Sequence, residues 1–514
     1  MTGFVRDSKR YRTVYRFFLL PVIVFCVSLG LSGCGSHCQY TAQEYLEKNT
    51  VADLENLSQN PTSYLAYTAH TPVMTPAEQA EQFAALREYH FAPWRQDSPT
   101  RSKEDAFWGI AAYPYSKGYA ENLLPWSKKA MDCLIARQNM ETYPCMARYA
   151  ITVRHSSLRV FPTVKPYFLN PTQAGEGFPF DYFQNSAVHV GTPLFVSHVS
   201  VSGKWLYVET SYASGWIPAN DVAYVSEQQK EMFMSGTLYA LMRDNLALKT
   251  AQGMYLSTGF VGGMLPTAPP SFGSVGGQTE NVQANAVDVP EASETVFVKK
   301  IGKNTIRVCA PKVTPVACVQ LLVPARNALG KVEFFAVPMR CKYVAQIPMV
   351  FTPRALAELA SHIVGQRYGW GGLFEDRDCS STVRDLFAVF GVWMPRNSSL
   401  QADKGEKAIS LQGLTAADKR DIIIENGVPF FSLIGMKGHI GIYLGYDEVA
   451  QQPIMLHDVW GVRTMKAGQE GRAIIGRLGI TSLRPGEERR DVPEDYFYSR
   501  IEKLQLRPGT WKKE

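Results

Sequence analysis

The sequence predicts a multidomain α+β protein, in which a helical N-terminal region precedes two small β-barrels and a C-terminal α+β domain. Three observations support this prediction. The chain has 514 residues, which is too long for one hydrophobic core and favours several domains. Hydrophobic residues make up 46% and charged residues 19% of it, as in folded globular proteins. The pattern changes from helical to short β-rich runs near residue 150, and to mixed helix and strand near residue 350.

The net charge gives no reason to expect a nucleic-acid partner. It is +6 in total, but residues 1–16 hold five Lys and Arg and one Asp, and so contribute +4. The remaining chain carries +2, which is close to neutral, so the basic balance belongs to the N-terminus.

That N-terminus has the pattern of an export signal over residues 1–33. A basic segment precedes the uncharged apolar run Phe17–Leu31, which is short for a membrane span. The run ends in Leu-Ser-Gly-Cys, which resembles the lipobox of bacterial lipoproteins and implies cleavage before a lipidated Cys34. A plain signal peptide or an uncleaved anchor is the alternative. We predict an extracytoplasmic protein held on a membrane by lipid. In a two-membrane cell Gly35 favours the outer membrane.

Cysteine usage fits an oxidising compartment. Two pairs are close enough in sequence to form disulfides, Cys133 with Cys145 and Cys309 with Cys318. Cys38 and Cys341 have no obvious partner. No Cys or His cluster has the spacing of metal ligands, so we expect no metal and no cofactor.

Residues 34–149 are predicted to form a helical domain that stabilises the rest of the chain. Its clearest element starts at Thr75-Pro76-Ala77-Glu78, a capping box with proline at the first helical position. We find no catalytic constellation in this region.

The β-rich part is predicted to begin with a barrel over residues 150–250. Its stretch 203–222, in which a strand ends in a Gly-Trp pair before a polar turn, resembles bacterial SH3-like barrels. Residues 295–348 are interpreted as a second barrel of this kind. Between them, 251–294 is predicted to be a linker or an exposed insertion, because 261–292 is rich in small residues and proline.

The C-terminal domain, predicted over 349–514, is organised around residues 368–401. Apolar residues recur there with helical spacing, at Val383, Leu386, Phe387 and Phe390. Gly391 stands where a helix end tolerates positive φ. Cys379 falls in the first turn, where free amides and the helix dipole favour a thiolate. We therefore predict that Cys379 is a nucleophile.

Two histidines follow on predicted strands. His439 opens the run HIGIYLGY, and His457 lies in the next apolar run. If these strands pair as antiparallel neighbours, both side chains can share one face of a sheet. A helix packed on that face would bring Cys379 to His439. Four further histidines, His155, His189, His198 and His362, lack such context and are predicted to be structural.

Four motifs in order make residues 351–480 resemble the NlpC/p60 cysteine peptidases of bacterial cell-wall metabolism. They are Tyr-x-Trp-Gly-Gly, Asp-Cys-Ser, Pro-Arg-x-Ser-Ser-x-Gln and His-x-Gly-Ile-Tyr-Leu-Gly. One departure is NGVPFFSLIGMKG in place of the usual Gly-Asp-Leu before the histidine strand. The resemblance implies a papain-like catalytic domain preceded by a stabilising region and two SH3-like domains.

The same resemblance implies a γ-D-glutamyl-L-diamino acid endopeptidase. Cys379 would attack the scissile carbonyl, His439 would transfer its proton, and His457 would orient that imidazole. Tyr368 would line the oxyanion hole together with the Cys379 backbone N–H. Residues implied to hold the substrate are Trp370, Asp378, Ser380, Ser398 and, from the first barrel, Tyr212.

Three functions remain open at this stage. The enzyme would cleave free murein peptides with an N-terminal L-Ala during recycling, or it would hydrolyse intact peptidoglycan in wall remodelling. A wall-binding lipoprotein with a silent peptidase domain is the third. We expect a monomer whose partners are a peptidoglycan-derived peptide and, through the lipid, a membrane.

Overall fold

The structure is a computed structural model that describes residues 49–270, 319–403 and 407–507, with the backbone of two further strands inside 296–309. The predicted signal segment, Cys34, Cys38, Cys318, the side chain of Cys309 and most of the 261–292 segment lie outside these residues, and with them the predicted Cys309/Cys318 pair. From Val51 onward the chain forms one unit.

Short helices dominate the N-terminal region. Its α-helices are α1 Asp53–Asn56, α2 Pro76–Phe91, α3 Lys103–Ala106, α4 Gly109–Ala112 and α5 Lys128–Arg137. Thr75 caps α2 through the predicted capping box. On α2, Gln79 donates hydrogen bonds to the backbone oxygens of Met349 and Phe390, which lie in the C-terminal part of the chain. The region therefore braces the C-terminal domain directly.

The first β-rich unit is one seven-stranded antiparallel sheet in the order β3-β2-β6-β5-β4-β1-β7. Its strands are β1 Arg148–Thr152, β2 Ser156–Arg159, β3 Gln184–Val188, β4 Pro193–Val199, β5 Trp205–Glu209, β6 Ser214–Pro218 and β7 Val222–Tyr224. The apolar interior includes Leu158, Val196 and Ile217. Helix α6, Glu227–Ser235, follows the last strand.

The boundary predicted at residue 250 is wrong, because the second β unit already begins at 238. Its strands are β8 Leu238–Leu241, β9 Leu246–Lys249, β10 Tyr255–Gly259, β11 Met264–Pro266, β12 Val296–Ile301, β13 Asn304–Cys309, β14 Val319–Arg326, β15 Val332–Met339 and β16 Val344–Gln346. Strand β8 lies between β11 and β16, so residues predicted to be a linker are part of this unit. Val261 and Leu265 are fully buried, contrary to the exposed insertion we predicted. That the unit is a second SH3-like barrel stays a prediction.

The C-terminal domain packs helices on a six-stranded sheet ordered β17-β22-β18-β19-β20-β21. The helices are α7 Pro353–Ser361, α8 Cys379–Val389, α9 Ser398–Asp403, α10 Ala416–Asn426 and α11 Tyr496–Arg500. The strands are β17 Ala408–Ser410, β18 Leu433–Met436, β19 His439–Asp447, β20 Gln452–Lys466, β21 Gln469–Ser482 and β22 Ile501–Gln505.

Both faces of this sheet are covered. Ile440, Ile442 and Leu456 pack into the core that contains the apolar side of α8. Tyr443 and Met455 belong to a second core on the other face. Alternation along the strands therefore separates the α8 face from its opposite.

The cysteines differ from the sequence-based expectation. Cys133 and Cys145 are both free and exposed, so the predicted disulfide between them is absent. Cys341, for which we expected no partner, is disulfide-bonded. Among the helices of the described residues, none has the length and apolarity needed to cross a membrane.

Candidate active site

Cys379 is the first residue of α8, as predicted. Asp378 is the N-cap, and its carboxylate accepts from the Ser381 backbone N–H at 2.9 Å while the Ser381 hydroxyl accepts from the Asp378 N–H. This reciprocal cap fixes where the helix begins and hence where the sulfur lies. Cys379 is only 9% exposed, and its sulfur receives a hydrogen bond from the backbone of Ile440.

The structure brings His439 and His457 together. His439 Nε2 lies 2.8 Å from His457 Nδ1, and His457 Nε2 lies 3.0 Å from the hydroxyl of Thr481. Strands β19 and β20 pair as antiparallel neighbours, as the sequence predicted. Helix α8, however, does not pack on the face that carries His457. It contacts the opposite face, where the Thr382 hydroxyl lies 3.4 Å from Asp458, and Cys379 reaches β19 through the Ile440 backbone.

The donor and acceptor in each hydrogen bond of the His439–His457–Thr481 series can be assigned by starting from Thr481. The Thr481 hydroxyl donates its only proton to the Ser482 carbonyl oxygen at 2.8 Å, so it must accept from His457 Nε2–H. His457 Nδ1 is then an acceptor, and the proton between the rings belongs to His439 Nε2. This leaves the Nδ1 lone pair of His439 free to take a proton, which a general base for a thiol requires.

The thiolate expected from the helix dipole is not the resting form. Burial raises the pKa of the Cys379 thiol to about 12, and the neighbouring Asp378 carboxylate contributes to that rise. Burial also lowers the pKa of His439 to about 3. At neutral pH both groups are therefore uncharged before substrate binds, and proton transfer must accompany attack.

Tyr368 lies close to the sulfur in the segment that precedes α8. Its pKa is raised well above 10, first by burial and then by the nearby Cys379 and Asp378. The phenol therefore keeps its proton and remains a hydrogen-bond donor. This is the property that an oxyanion-hole residue needs.

Asp378 is already occupied by groups of the protein. Besides the cap, it forms a two-pronged ion pair with Arg396, whose Nη1 and Nη2 lie 3.0 and 2.5 Å from the two oxygens. Although burial by itself would raise the pKa of Asp378, Arg396 lowers it, so the carboxylate stays ionised. Arg396 also donates to the Ser380 hydroxyl at 2.7 Å. Ser398 is half-buried at the start of α9.

Aromatic side chains from two domains meet at the site; we call Phe180, Tyr182, Tyr368, Trp370 and Trp460 the aromatic cluster. The Phe180 ring centroid is 5.3 Å from Trp370, 5.8 Å from Trp460 and 6.2 Å from Tyr368. Tyr182 is 5.4 Å from Trp370. The first barrel therefore does reach the site, but through the loop between β2 and β3.

Tyr212, which we expected to close the site, lies elsewhere in the barrel. Arg384 of α8 stacks over its ring at 3.8 Å, and its hydroxyl donates to the Ala187 carbonyl oxygen at 3.1 Å. Tyr212 is also close enough to Arg396 to raise the pKa of that guanidinium, and Arg396 in turn binds Asp378. Tyr212 lies in the loop between β5 and β6 and thus contacts α8 beyond its first turn, at Arg384.

Sequence reasoning missed several residues of the site. Arg396 belongs to the Pro-Arg-x-Ser-Ser-x-Gln motif. An arginine in one motif and an aspartate in the Asp-Cys-Ser motif could have predicted the ion pair between Arg396 and Asp378. Phe180, Tyr182 and Thr481 come from distant segments, and no local pattern marks them. Asp458 is fully buried with Oδ1 unpartnered, and burial together with Asp378 raises its pKa well above 3.8, which favours the protonated carboxyl.

Within the described residues there is no group of three or more His, Cys, Asp or Glu that could hold a metal ion. The groups around the Cys379 thiol are the protonated phenol of Tyr368 and the backbone of Ile440, which directly follows His439 in β19. Together they suit acyl transfer from a carbonyl compound.

Three segments of the chain match models of known protein families. Residues 365–469 match the NlpC/P60 family, residues 166–218 an SH3 domain of the SH3b1 type, and residues 23–143 the N-terminal NLPC_P60 stabilising domain. Residues 365–469 therefore carry an NlpC/P60 domain, which confirms the resemblance predicted from the four motifs.

A solved structure shares the fold over most of the chain. An NlpC/P60 endopeptidase from Photobacterium damselae subsp. piscicida is similar with a TM-score of 0.72 and 20% identity, over 88% of this chain and 98% of that chain. An NlpC/P60 family protein from Bacillus cereus ATCC 10987 gives a TM-score of 0.37 and 14% identity, over 70% of this chain and 100% of that chain. The comparison with curated proteins found no match.

Proposed function

We propose that the protein is a lipid-anchored cysteine endopeptidase that cleaves the γ-D-Glu–diamino acid bond of peptidoglycan stem peptides, acting on free peptides with an N-terminal L-Ala. The observation that carries the catalytic part is the hydrogen-bonded chain from His439 through His457 to Thr481 beside the buried Cys379. The NlpC/P60 domain supports the hydrolysis of a peptide bond in cell-wall material.

The proposed reaction begins with the Cys379 thiol and the His439 imidazole both uncharged. As the Cys379 sulfur attacks the γ-carbonyl carbon of D-Glu, its proton passes to His439 Nδ1. His457 accepts the Nε2–H bond throughout, which keeps the ring oriented. The Cys379 backbone N–H and the Tyr368 hydroxyl stabilise the oxyanion. His439 then protonates the leaving amine, and water attack on the thioester releases L-Ala-D-Glu.

Selection of short peptides is the finer part of the proposal. The first barrel contributes Phe180 and Tyr182 to the aromatic cluster. In the proposal, these side chains restrict access to the site to short peptides. Gly371 and Gly372 pack closely on β3. A Cβ added at Gly371 would lie 2.7 Å from the Gln184 backbone oxygen, and one added at Gly372 would lie 2.4 Å from the Ala187 Cβ. In the proposal, the substrate amine and carboxylate bind at Asp378 and Ser380 alongside the Arg396 guanidinium that already contacts both residues, with Trp370 and Ser398 beside them.

Three substrates, two peptides and intact cell-wall sacculi, test this proposal. L-Ala-γ-D-Glu-diaminopimelate, its N-acetyl form and whole sacculi are incubated with the protein, and products are identified by mass spectrometry. We expect diaminopimelate from the free peptide, at least about tenfold slower cleavage of the acetylated one, and none from sacculi. Release from sacculi alone would discard the recycling role and favour wall remodelling.

The Cys379→Ala variant separates catalysis from binding. We expect no hydrolysis and unchanged binding of the free peptide, because only the nucleophile is removed. If neither the natural protein nor the variant hydrolyses any of the three substrates, the chain is a wall-binding protein with a silent peptidase domain.

The membrane anchor is tested at Cys34. We expect the natural protein in the membrane fraction, and Cys34→Ser in the soluble extracytoplasmic fraction, because lipid would have no attachment point. A variant that stays membrane-bound would instead favour an uncleaved apolar segment. Separating inner from outer membranes then tests the outer-membrane location.

A further inference from the structure

A second cysteine–histidine pair lies in the first barrel, outside the catalytic site. The Cys145 sulfur is 3.0 Å from Nδ1 of His198. Cys145 is exposed in the segment just before β1, whereas His198 lies in β4 and is fully buried. The thiol is thus open to reagents while its partner is held inside the protein.

The imidazole of His198 can act only as an acceptor toward this thiol. Its Nε2 lies 2.9 Å from the Gln138 carbonyl oxygen and 3.1 Å from that of Asn139. Since a carbonyl oxygen only accepts, Nε2 carries the proton and Nδ1 turns its lone pair to Cys145. Three rings surround the imidazole with centroids 5.4–6.0 Å away, those of Phe107, Tyr143 and Trp216.

Two carbonyls reduce the cost of charging the buried imidazole. Gln138 is the C-cap of α5 and Asn139 follows it, so both carbonyls lie at the negative end of that helix. Burial lowers the pKa of His198, and the hydrogen bonds to these carbonyls oppose that effect without cancelling it. The imidazole is therefore neutral at rest, and the carbonyls offset part of the cost of its positive charge when it takes a proton from Cys145.

We propose that Cys145 is an activated thiol that is modified by low-molecular-weight disulfides. In this step His198 Nδ1 takes the thiol proton as the Cys145 sulfur attacks one sulfur of R–S–S–R. The S–S bond of the reagent breaks and a Cys145–S–S–R bond forms. The leaving thiolate takes the proton back from His198, so one RSH is released and the disulfide is the only oxidant.

The chain provides its own control in Cys133. This residue lies in α5 and is also free and exposed. Among the hydrogen bonds of the described residues, none joins Cys133 to a histidine. A difference in reactivity between the two thiols therefore reports the effect of His198 rather than exposure alone.

The experiment treats the full-length protein with glutathione disulfide at pH 7 and follows each site by peptide mass spectrometry. We expect the mixed disulfide at Cys145 to form about tenfold faster than at Cys133. Equal rates of modification at Cys145 and Cys133 would overturn the proposal.

Two variants complete the test. His198→Gln should slow modification of Cys145 to the rate of Cys133, while Cys133 itself is unaffected. Cys145→Ser should leave peptide hydrolysis unchanged, because the pair is outside the catalytic machinery. If His198→Gln does not fold, the ratio of the Cys145 rate to the Cys133 rate in the natural protein still decides the question.

Discussion

At the residue scale, burial outweighs the helix dipole at Cys379. A helix N-terminus stabilises a nearby anion by about 0.3–1 kcal/mol, and by about 2 kcal/mol in favourable sites. Removing an ion from water costs several kcal/mol, and Asp378 adds a like charge beside the sulfur. Activation of the thiol therefore depends on His439 and on the residues that orient it.

His457 is the residue that orients the His439 imidazole directly, and its substitution tests this role. His457→Ala should lower kcat by about 10²-fold or more with little change in KM, because the base loses its fixed tautomer but the binding groups remain. Steady-state kinetics on the free tripeptide measure both constants. His362→Ala is the control, since His362 is an exposed histidine of the same domain. Equal activity in both variants would remove His457 from the mechanism.

At the element scale, the Gly-rich turn before α8 is shaped by a neighbouring domain. Gly371 and Gly372 have positive φ angles of 63° and 88°, which glycine adopts without strain. Their missing side chains also let β3 of the first barrel approach the turn, and Gln184 donates a hydrogen bond to the Gly371 oxygen at 3.0 Å. The turn therefore sets both the start of α8 and the barrel contact.

Two alanine substitutions separate backbone strain from this contact. Gly365 and Gly372 both have φ of 88°, but an added Cβ at Gly365 meets nothing within 4 Å. Gly365→Ala should cost about 1–2 kcal/mol of stability and preserve activity. Gly372→Ala should cost more and lower kcat/KM, because Ala187 must move. Chemical unfolding and peptide kinetics measure these effects; similar activity in the two variants would contradict the idea.

At the scale of the whole molecule, Arg377 joins the catalytic helix to the second β unit. Its guanidinium bonds Asp244 at 2.7 and 2.9 Å, Asp385 at 2.9 Å and the Val261 carbonyl oxygen at 3.0 Å. All three charged side chains are largely buried. The ion pairs thus hold the domains in the relative position that the active site requires.

Arg377→Ala should therefore destabilise the protein strongly. We expect a loss of about 3–5 kcal/mol, because the buried Asp244 carboxylate loses its cationic partner and Asp385 keeps only His189 and Arg384. Arg367→Ala is the matched control: this exposed arginine lies 3.4 Å from Asp376 and should contribute less than about 1 kcal/mol. Denaturant unfolding gives both values. Comparable losses would mean that the buried network does not stabilise the fold.

Buried histidines predict sensitivity of the whole fold to acid. Burial lowers the pKa of His90 and of His439 to about 3, and that of His155 and His457 well below 6.5. Below about pH 6.5 the unfolded chain binds protons at these sites while the folded chain does not. Stability should thus fall as the pH decreases from about 6.5 to about 3. The melting temperature at pH 7.5 and pH 5 tests this; a higher value at pH 5 would contradict it.

Local sequence was enough to predict the family, the nucleophile helix, the paired histidine strands and the capped helix α2, because each rests on periodicity or on residues close together in a motif. Tertiary structure decided the rest. Phe180 and Tyr182 reach Trp370 from another domain, Thr481 fixes the His457 tautomer from a third strand, and β8 and β11 join a sheet with β16. Burial, which sets the charge of Cys379 and His439, likewise depends on contacts between segments far apart in the chain, and no local pattern records those contacts.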